Sequence, residues 1–473
     1  MQRLVKIGKI KNYKSNEIAS SKLGIGLEKL DRNLFDPSKT YDYLQDLGVK
    51  HVRLQSGWAR TEKTKGEYDF LWLDQIVDNL IKRGITPWLC MCYGNGLYSP
   101  DANKYYGAVG VPPIFTESER QGWHNYCVAT ANHFKGRISS YEVWNEPDGV
   151  WCWKHGVNGK EYGQFVIDTS KAIKSADASA KIIGGAMAHS IHIAWLKDAL
   201  SVGMAEHIDM YSYHNYTTDY SRLLDYVNIL KSVLDKSGKD IKIVQGESGS
   251  PSEFNGRGAL HQALWTPEKQ AKHMLRRSIL DLVSGVEFTS HFTTVDMVEA
   301  LNGTNDNKQS YQDYGYFGVL SAQFDENGFS VGDYKPKKSY YALQTLCSLM
   351  YDVTPTTLPI TIYNADFTLL TFAESEHKNN VVSYSFEKTN GASAFVYYKP
   401  TNVITDSFQG VVSFVMDMPD QEVSLIDLMD GSVYKIPDSM ILDLGNGVKV
   451  LELIPIKDYP LMITFGDFYK LEK

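Results

Sequence analysis

The sequence predicts an α/β fold: a (β/α)8 TIM barrel followed by an antiparallel β-sandwich domain. From about residue 22 to residue 345, strand-like runs alternate with amphipathic helical stretches, which is typical of a parallel sheet covered by helices. After residue 345 the chain changes to short alternating runs separated by Asn-Gly, Asp-Gly and proline-containing turns. We therefore expect a barrel over residues 22–345 and an accessory β-sandwich over residues 346–473, which a strand from residues 1–21 could join.

Strand-like runs divide the first region into eight units, the number that closes a barrel of this type. They cover residues 23–28, 51–55, 86–93, 140–145, 181–186, 208–214, 241–247 and 286–292. Helix-start signals stand between them, such as the capping box Thr116-Glu117-Ser118-Glu119 and the pair Thr266-Pro267. In the second region, residues 367–372, 394–398 and 411–416 alternate as strands of a sandwich do.

Two glutamates lie at the ends of predicted strands, where the active sites of such barrels are found. Glu146 and Glu247 each close an apolar run, at the ends of strands four and seven. These strands are on opposite sides of the ring, so both carboxylates should face the mouth at its C-terminal rim. Two carboxyl groups that face each other across a cleft are the catalytic groups used to hydrolyse a glycosidic bond. A separation of about 5 Å permits nucleophilic attack with retention, whereas about 6.5–9.5 Å leaves room for a water and gives inversion.

Polar residues near these strands complete the candidate site. Asn145 could hydrogen-bond a sugar 2-hydroxyl. Arg53 lies inside strand two and needs a carboxylate if it is buried, so we expect it to hold the nucleophile ionised, with a structural ion pair as the alternative. His214 ends strand six, beside the strand of Glu247, and Tyr216 would reach the nucleophile if its loop turns back.

Aromatic residues make up 12% of the chain, and several fall in the predicted rim loops. Sugar rings present apolar CH faces that stack on such side chains, so Trp58, Tyr93 and Trp151 are candidate substrate contacts, with core packing as the alternative. His291 on strand eight is a further candidate. The long loop at residues 93–115 lies on the same face, and loops of this length tend to be functional.

Composition, charge and motifs limit the classes of binding partner and cofactor that we expect. The net charge of -8 gives no reason to expect nucleic acid or an anionic membrane, and no apolar stretch is long enough to span a bilayer. Metal-binding and dinucleotide motifs are incomplete, so we predict no metal and no cofactor. No signal-peptide core is present, so we expect a cytoplasmic protein, with a trimmed secreted or periplasmic form as the alternative. The oligomeric state is open, and a homo-oligomer is compatible with the sequence.

These motifs resemble those of the clan A glycoside hydrolases, and the chain is most similar to glycoside hydrolase family 39, which contains β-xylosidases and α-L-iduronidases. The similar stretches are residues 26–32, 52–53, 66–70, 107–113 and 142–148. By this resemblance Glu146 is the acid/base and Glu247 the nucleophile, supported by Asn145, Arg53 and His214.

The chain departs from the clan's pattern at three places that shape the sugar pocket. Tyr93 and Asn95 stand where many members carry a histidine at the end of strand three. Strand eight lacks the tryptophan that many members have, and the nucleophile lies in Gln-Gly-Glu-Ser rather than the commoner Thr-Glu-Phe or Thr-Glu-Trp type. These departures concern which sugar is bound rather than the reaction.

The resemblance implies a retaining glycoside hydrolase that cleaves O-glycosidic bonds of an oligosaccharide or glycoside by double displacement. The long loop at residues 93–115 favours a blocked pocket, and hence an exo-acting, β-xylosidase-like protein. The alternatives are an endo-acting glycanase of the same clan and a non-catalytic glycan-binding protein on this scaffold. We expect the sandwich to cover the flank of the barrel, with sugar binding as the alternative.

Overall fold

The computed structural model describes residues 4–189, 192–363, 381–417 and 421–473. Within these ranges the eight predicted strands form one closed barrel whose neighbouring strands are parallel. The strands are β1 (Gly24–Gly26), β2 (His51–Gln55), β3 (Thr86–Met91), β4 (Ser140–Val143), β5 (Lys181–Met187), β6 (Met210–Tyr213), β7 (Lys242–Ser248) and β8 (Thr289–His291). The barrel closes where Ile25 lies opposite His291. The predicted barrel is confirmed.

Helices follow the strands and cover the outside of the barrel. They are α1 (Tyr41–Leu47), α2 (Leu71–Lys82), α3 (Glu117–Phe134), α4 (Gly159–Ala176), α5 (Ile193–Ser201), α6 (Leu223–Asp235), α7 (Pro267–Val283) and α8 (Lys338–Leu349). The predicted capping signals are present, since Thr116 and Glu119 form the box that begins α3, and the Thr266 hydroxyl accepts from the Lys269 amide at the start of α7. No helix in the described part of the chain is both long and apolar enough to cross a membrane.

The C-terminal region contains two antiparallel sheets, which confirms the predicted fold class. Among the described residues, the larger sheet has the strand order Val5–Lys9, Ser432–Lys435, Val423–Asp427, Leu461–Phe465, Ser393–Tyr398, Val382–Lys388 and Val353–Thr356. The smaller sheet has the order Ile360–Tyr363, Gln409–Asp417, Val448–Lys457 and Ile441–Gly445. The predicted run at residues 367–372 lies outside the described residues, and the expected domain boundary at residue 345 falls within α8.

Two hairpins follow β8 and precede α8. Met297–Val298 pairs with Tyr314–Gly315, and Leu320–Phe324 pairs with Ser330–Pro336. The first hairpin is at the C-terminal end of the barrel, where it contributes to the cavity described below.

Candidate active site

Glu146 and Glu247 meet over the C-terminal mouth of the barrel. Glu247 is on β7, and Glu146 follows the end of β4 by three residues. One carboxylate oxygen of each and a ring nitrogen of His214 all lie within 4.8 Å of one another. Both glutamates line a cavity of about 440 Å³. The two carboxylates that the sequence placed on opposite strands therefore share one cavity.

The backbone at Glu146 is held in a conformation that non-glycine residues rarely adopt. Glu146 has φ 46° and Trp144 has φ 68°, both in the left-handed region. Such a residue costs about 1–3 kcal/mol, which the surrounding structure must offset. The Glu146 amide donates to the Ala186 carbonyl at 3.0 Å, which ties the turn to β5. This turn places the Glu146 carboxylate over the barrel mouth.

Arg53 is fully buried beneath the two glutamates and contacts several acceptors at once. Its Nη1 donates to Glu247 at 2.8 Å and to Glu28 at 3.0 Å. Its Nε and Nη2 donate to Glu142 at 2.8 and 2.5 Å, and Nη2 also donates to Asn145 at 2.8 Å. The planar guanidinium has donors pointing in fixed directions, so it sets the positions of these carboxylates relative to one another.

The surroundings of Glu247 favour its ionised form. Burial would raise the pKa of Glu247, but His214, Arg53 and a hydrogen bond from Tyr216 outweigh burial and lower it below the ordinary value. The Tyr216 hydroxyl donates to Glu247 Oε1 at 2.6 Å. Glu28 responds in the opposite sense, because burial and the charge of Glu247 raise the pKa of Glu28 well above its usual range. The cluster therefore keeps the negative charge on Glu247 and disfavours a second charge on Glu28.

Glu146 has a different set of partners. His214 is fully buried, and its Nδ1 donates to Glu146 Oε1 at 2.9 Å. The Trp151 indole N–H donates to the other oxygen of Glu146. Burial lowers the pKa of His214, but the charge of Glu247 and the hydrogen bond to Glu146 outweigh burial and raise it. Glu146 is thus held by two hydrogen-bond donors, and the raised pKa of one of them, His214, favours its protonated form.

The remaining cavity wall combines aromatic rings with charged groups. Phe292 and Phe317 line it beside Tyr216. On another part of the wall, the Glu299 carboxylate lies 3.2 Å from the Lys29 ammonium group, and both side chains are almost completely buried. Rings for apolar sugar faces and polar groups for hydroxyls are the features that a carbohydrate site needs.

The loop after β3 braces the loop after β8. The Tyr106 amide donates to the Gly303 carbonyl at 2.9 Å, and the rings of Tyr106 and Tyr311 stack with centroids 4.0 Å apart. On the cavity side, the β8 loop contributes Leu301 and Asn302 to the wall. The β3 loop, residues 93–115, thus supports one wall of the cavity.

Five of the eight predicted substrate-binding residues lie at this site. Asn145, Arg53, His214 and Tyr216 surround the two glutamates, and Trp151 lines the cavity. That they bind a sugar stays a prediction.

Trp58 and Tyr93 do not lie in the cavity, so their prediction as rim platforms is corrected. Trp58 is fully buried, and its ring stacks on Tyr98 and Tyr126 with centroids 5.2 and 5.7 Å away. Tyr93 is also buried, with its ring edge against Trp144. Trp58 fills the space between the barrel and α3, whereas Tyr93 is covered by the Arg32 guanidinium, 5.6 Å from its ring centre, and accepts a hydrogen bond from Gln55.

His291 also does not line the cavity. Burial and the positive charge of Arg277 on α7 lower the pKa of His291 to about 4. Successive residues of a strand face opposite sides, and the adjacent Phe292 is the one that lines the cavity. His291 therefore faces the helix layer instead of the mouth.

Several residues of the site were not predicted from the sequence. Glu28 and Glu142 hold Arg53, and Glu299 and Phe292 line the cavity. Strand alternation could have indicated Glu142, since it precedes Glu146 by four residues on the same run. Glu299 carried no comparable signal, because it belongs to a hairpin whose path depends on tertiary contacts.

The described residues contain two groups of side chains that could hold a metal ion. One is Glu146, His214 and Glu247, and the other is Asp148, His189 and His192. The sequence predicted no metal site because neither group forms a contiguous motif. The first group is the carboxylate site itself, and the second lies beside it, with His189 in the wall of the same cavity.

Comparisons with known proteins find similarity over most of the barrel. The family model described as glycosyl hydrolases family 39 matches residues 31–348. A β-xylosidase of Geobacillus stearothermophilus is 28% identical over 218 residues, which are 42% of this chain and 42% of that protein. A β-galactosidase BgaA of Clostridium cellulovorans is 21% identical over 231 residues, 44% of this chain and 34% of that protein. The matches thus span less than half the length of these relatives.

Solved structures share the fold over nearly the whole chain. A family 39 glycoside hydrolase from Bacteroides cellulosilyticus WH2 has a TM-score of 0.66 at 19% identity, covering 96% of this chain and 83% of the other. A family 39 β-xylosidase from Caulobacter crescentus has a TM-score of 0.57 at 15% identity, covering 95% and 98%. At these identities the likeness shows the fold.

Proposed function

We propose that this chain is a retaining, exo-acting, β-xylosidase-like glycoside hydrolase. The chain belongs to glycosyl hydrolases family 39, and the proposal proceeds from that membership. One observation carries the proposal: one carboxylate oxygen of Glu146 and one of Glu247 lie within 4.8 Å of each other, and both residues line the cavity. Retaining glycosidases have carboxyl groups about 5–5.5 Å apart, whereas inverting ones need about 6.5–9.5 Å. The similarity to a Geobacillus β-xylosidase supports the substrate class.

In the first step, Glu247 acts as the nucleophile. Its carboxylate oxygen forms a bond to the anomeric carbon while the bond from that carbon to the leaving oxygen breaks. Glu146 gives its proton to the leaving oxygen, which departs as an alcohol. Arg53 and Tyr216 orient Glu247 for this attack, since each donates a hydrogen bond to a different oxygen of its carboxylate.

In the second step, water releases the sugar. Glu146, now ionised, takes a proton from a water molecule whose oxygen attacks the anomeric carbon, and the bond to Glu247 breaks. Two displacements at one carbon give net retention of configuration. His214 and Trp151 hold Glu146 in place through both steps, because each donates to one of its oxygens.

The proposal of exo action rests on the wall formed by the β8 loop. Because the β3 loop braces that wall through Tyr106, the wall is a built part of the fold instead of a free flap. A walled cavity accommodates the end of a chain, and an endo-acting glycanase needs a groove open at both sides. The product sizes from a defined xylooligosaccharide separate the two, since exo action releases single sugars from the start.

Azide rescue tests the two catalytic assignments. In Glu247→Ala, azide should restore turnover of an aryl β-glycoside and give a glycosyl azide of inverted configuration. In Glu146→Ala, azide should replace water on the glycosyl intermediate and give a glycosyl azide of retained configuration. Glu287→Ala, at an exposed position before β8, is the matched control and should behave as the wild type. Normal turnover by Glu247→Ala without azide would overturn the assignment.

The alternative of a non-catalytic glycan-binding protein predicts a different outcome. It requires that no aryl alcohol is released from a panel containing β-xylose, β-glucose, β-galactose, α-L-arabinose and uronic acid glycosides. Both glutamates and their partners are in place, which favours catalysis. Release from the xyloside above the others would support the β-xylosidase-like substrate class.

We also propose that the C-terminal sheets brace the barrel. Arg276 of α7 is buried against them, with hydrogen bonds to the carbonyls of Asp458 and Thr401. Lys272, also on α7, lies 2.8 Å from the Asp458 carboxylate. Buried contacts of this kind indicate a permanent junction.

A further inference from the structure

A second cluster of polar side chains lies beside the carboxylate site. Asp148 follows Glu146 by two residues, and His189 and His192 belong to the segment between β5 and α5. One carboxylate oxygen of Asp148 and one nitrogen of each histidine all lie within 4.8 Å of one another. The proposed double displacement uses none of the three side chains.

The distances within this cluster match those between the ligands of a bound metal ion. His189 Nδ1 lies 3.0 Å from Asp148 Oδ2, and His192 Nδ1 lies 3.6 Å from the same oxygen. When nitrogen and oxygen ligands bind zinc tetrahedrally at about 2.0–2.1 Å, neighbouring ligand atoms are about 3.3 Å apart. Both distances to the Asp148 oxygen therefore differ from this spacing by only about 0.3 Å.

Burial and hydrogen bonding favour an occupant at this position. The Asp148 side chain is fully buried, and its oxygens accept from the backbone amides of Ala188 and His189, which hold the carboxylate in place. His192 Nδ1 is also buried and has no hydrogen-bond partner among the described residues. A buried polar atom without a partner is costly, and a metal ion would satisfy it.

The histidines leave one side of the cluster open. The side chain of His189 is 52% exposed and that of His192 is 35% exposed. Solvent can therefore reach the ion and supply the remaining ligand, as in sites with three protein ligands. Imidazole and carboxylate ligands suit zinc and its neighbours among the divalent transition metals.

We propose that Asp148, His189 and His192 bind a divalent transition-metal ion of the zinc type at the edge of the cavity. The ion would link His189 and His192 to Asp148. His189 lines the cavity, and its ring lies 5.4 Å from that of Trp151, which hydrogen-bonds Glu146. Metal occupancy would thereby fix one wall of the cavity without taking part in the bond cleavage.

Titration of the chelator-treated full chain with Zn²⁺ in a calorimeter tests this proposal. The wild type should bind Zn²⁺, and its melting temperature should rise with the ion present. His192→Ala should bind at least tenfold more weakly while folding normally, because His192 Nδ1 has no hydrogen bond to lose. Co²⁺ in place of Zn²⁺ should show visible absorption typical of a coordinated ion, and His192→Ala should lose it.

Two further variants make the test specific. His133→Ala is the control, because His133 also pairs with an aspartate, Asp74, at 2.8 Å. That pair has no second histidine to complete a metal site, so the His133→Ala variant should bind Zn²⁺ as the wild type does. His189→Ala should weaken binding as His192→Ala does. Absence of binding by the wild type, or equal binding by the wild type and His192→Ala, would overturn the proposal. Equal binding would place the ion elsewhere, for example on Glu146, His214 and Glu247.

Discussion

Arg53 and Arg276 are both almost completely buried, but their partners differ in kind. Arg53, inside the barrel, donates to the carboxylates of Glu142, Glu28 and Glu247. Arg276, at the junction with the C-terminal sheets, donates to the backbone carbonyls of Asp458 and Thr401. One guanidinium is surrounded by charges and the other by dipoles.

The pKa values reflect this difference. Burial alone would lower the pKa of Arg53, but the carboxylates, Glu142 above all, raise it well above the usual range. At Arg276 burial is the dominant cause, and the pKa is lowered. A buried cation among carboxylates controls which of them is ionised, whereas one among carbonyls can only hold segments together. The comparison assigns Arg53 to the proposed reaction and Arg276 to stability.

Arg53→Lys should cause the largest loss of activity. Lysine keeps the positive charge but lacks the planar fork that contacts Glu142, Asn145 and Glu247 together. We expect kcat/KM to fall by at least about 100-fold, comparable to the loss of one preorganised donor at an active site. Steady-state kinetics on an aryl β-xyloside measures this loss. Wild-type activity in a folded Arg53→Lys would contradict the role given to the fork.

Tyr216→Phe should have the next largest effect and should also change the pH profile. The hydroxyl helps to lower the pKa of Glu247, so its removal raises that pKa and moves the acidic limb of kcat/KM to higher pH. At pH values above that limb, kcat/KM should be about 10- to 100-fold lower than in the wild type, as expected for the loss of a hydrogen bond to a charged group.

Tyr213→Phe is the matched control for Tyr216→Phe. The Tyr213 hydroxyl lies 3.1 Å from Asp281 of α7, on the side of β6 away from the cavity. Its pH profile should coincide with that of the wild type. Equal shifts in both variants would show that the effect of Tyr216 is not local to Glu247.

Glu28→Gln should have a small effect. The pKa of Glu28 is raised by burial and by Glu247, so its protonated form is favoured, and glutamine reproduces the shape and hydrogen-bonding capacity of that form. We expect kcat/KM to fall by less than about tenfold, since one neutral hydrogen bond contributes about 0.5–1.5 kcal/mol. Glu142→Gln, which removes the negative charge from the side chain that accepts two Arg53 hydrogen bonds, is the comparison and should cost more.

Arg276→Gln should leave kcat/KM of the folded protein unchanged and reduce stability. Its loss leaves the carbonyls of Asp458 and Thr401 without their charged donor, at a cost of about 1.5–3 kcal/mol per hydrogen bond. Chemical denaturation should show a lower midpoint. A fall in activity at full folding would contradict the assignment of Arg276 to stability alone.

The sequence predicted the barrel and its two glutamates because both follow from local patterns. Strand periodicity and helix caps locate the eight units, and parallel strands end at one rim, so Glu146 and Glu247 had to meet there. The directions of loop side chains were not predictable in this way. Trp58 and Trp151 are both rim-loop tryptophans in the sequence, but Trp58 packs under Tyr98 and Trp151 bonds to Glu146.

The pairing of His214 with Glu146 was also beyond the sequence. His214 ends the strand beside that of Glu247, as predicted, but the sequence did not indicate that its Nδ1 contacts Glu146. The contact depends on the left-handed backbone at Glu146 and Asn215, which has φ 62°. Such backbone conformations depend on tertiary contacts and carry no periodic signal.

The stereochemistry of hydrolysis tests the proposed role of Glu247 as nucleophile, because double displacement between Glu146 and Glu247 would retain the configuration at the anomeric carbon. Proton NMR of an aryl β-xyloside mixed with the protein distinguishes the first sugar anomer released before mutarotation. We expect the β anomer to appear first and the α anomer only as mutarotation proceeds. Initial appearance of the α anomer would show single displacement by water and would contradict the role of Glu247 as nucleophile.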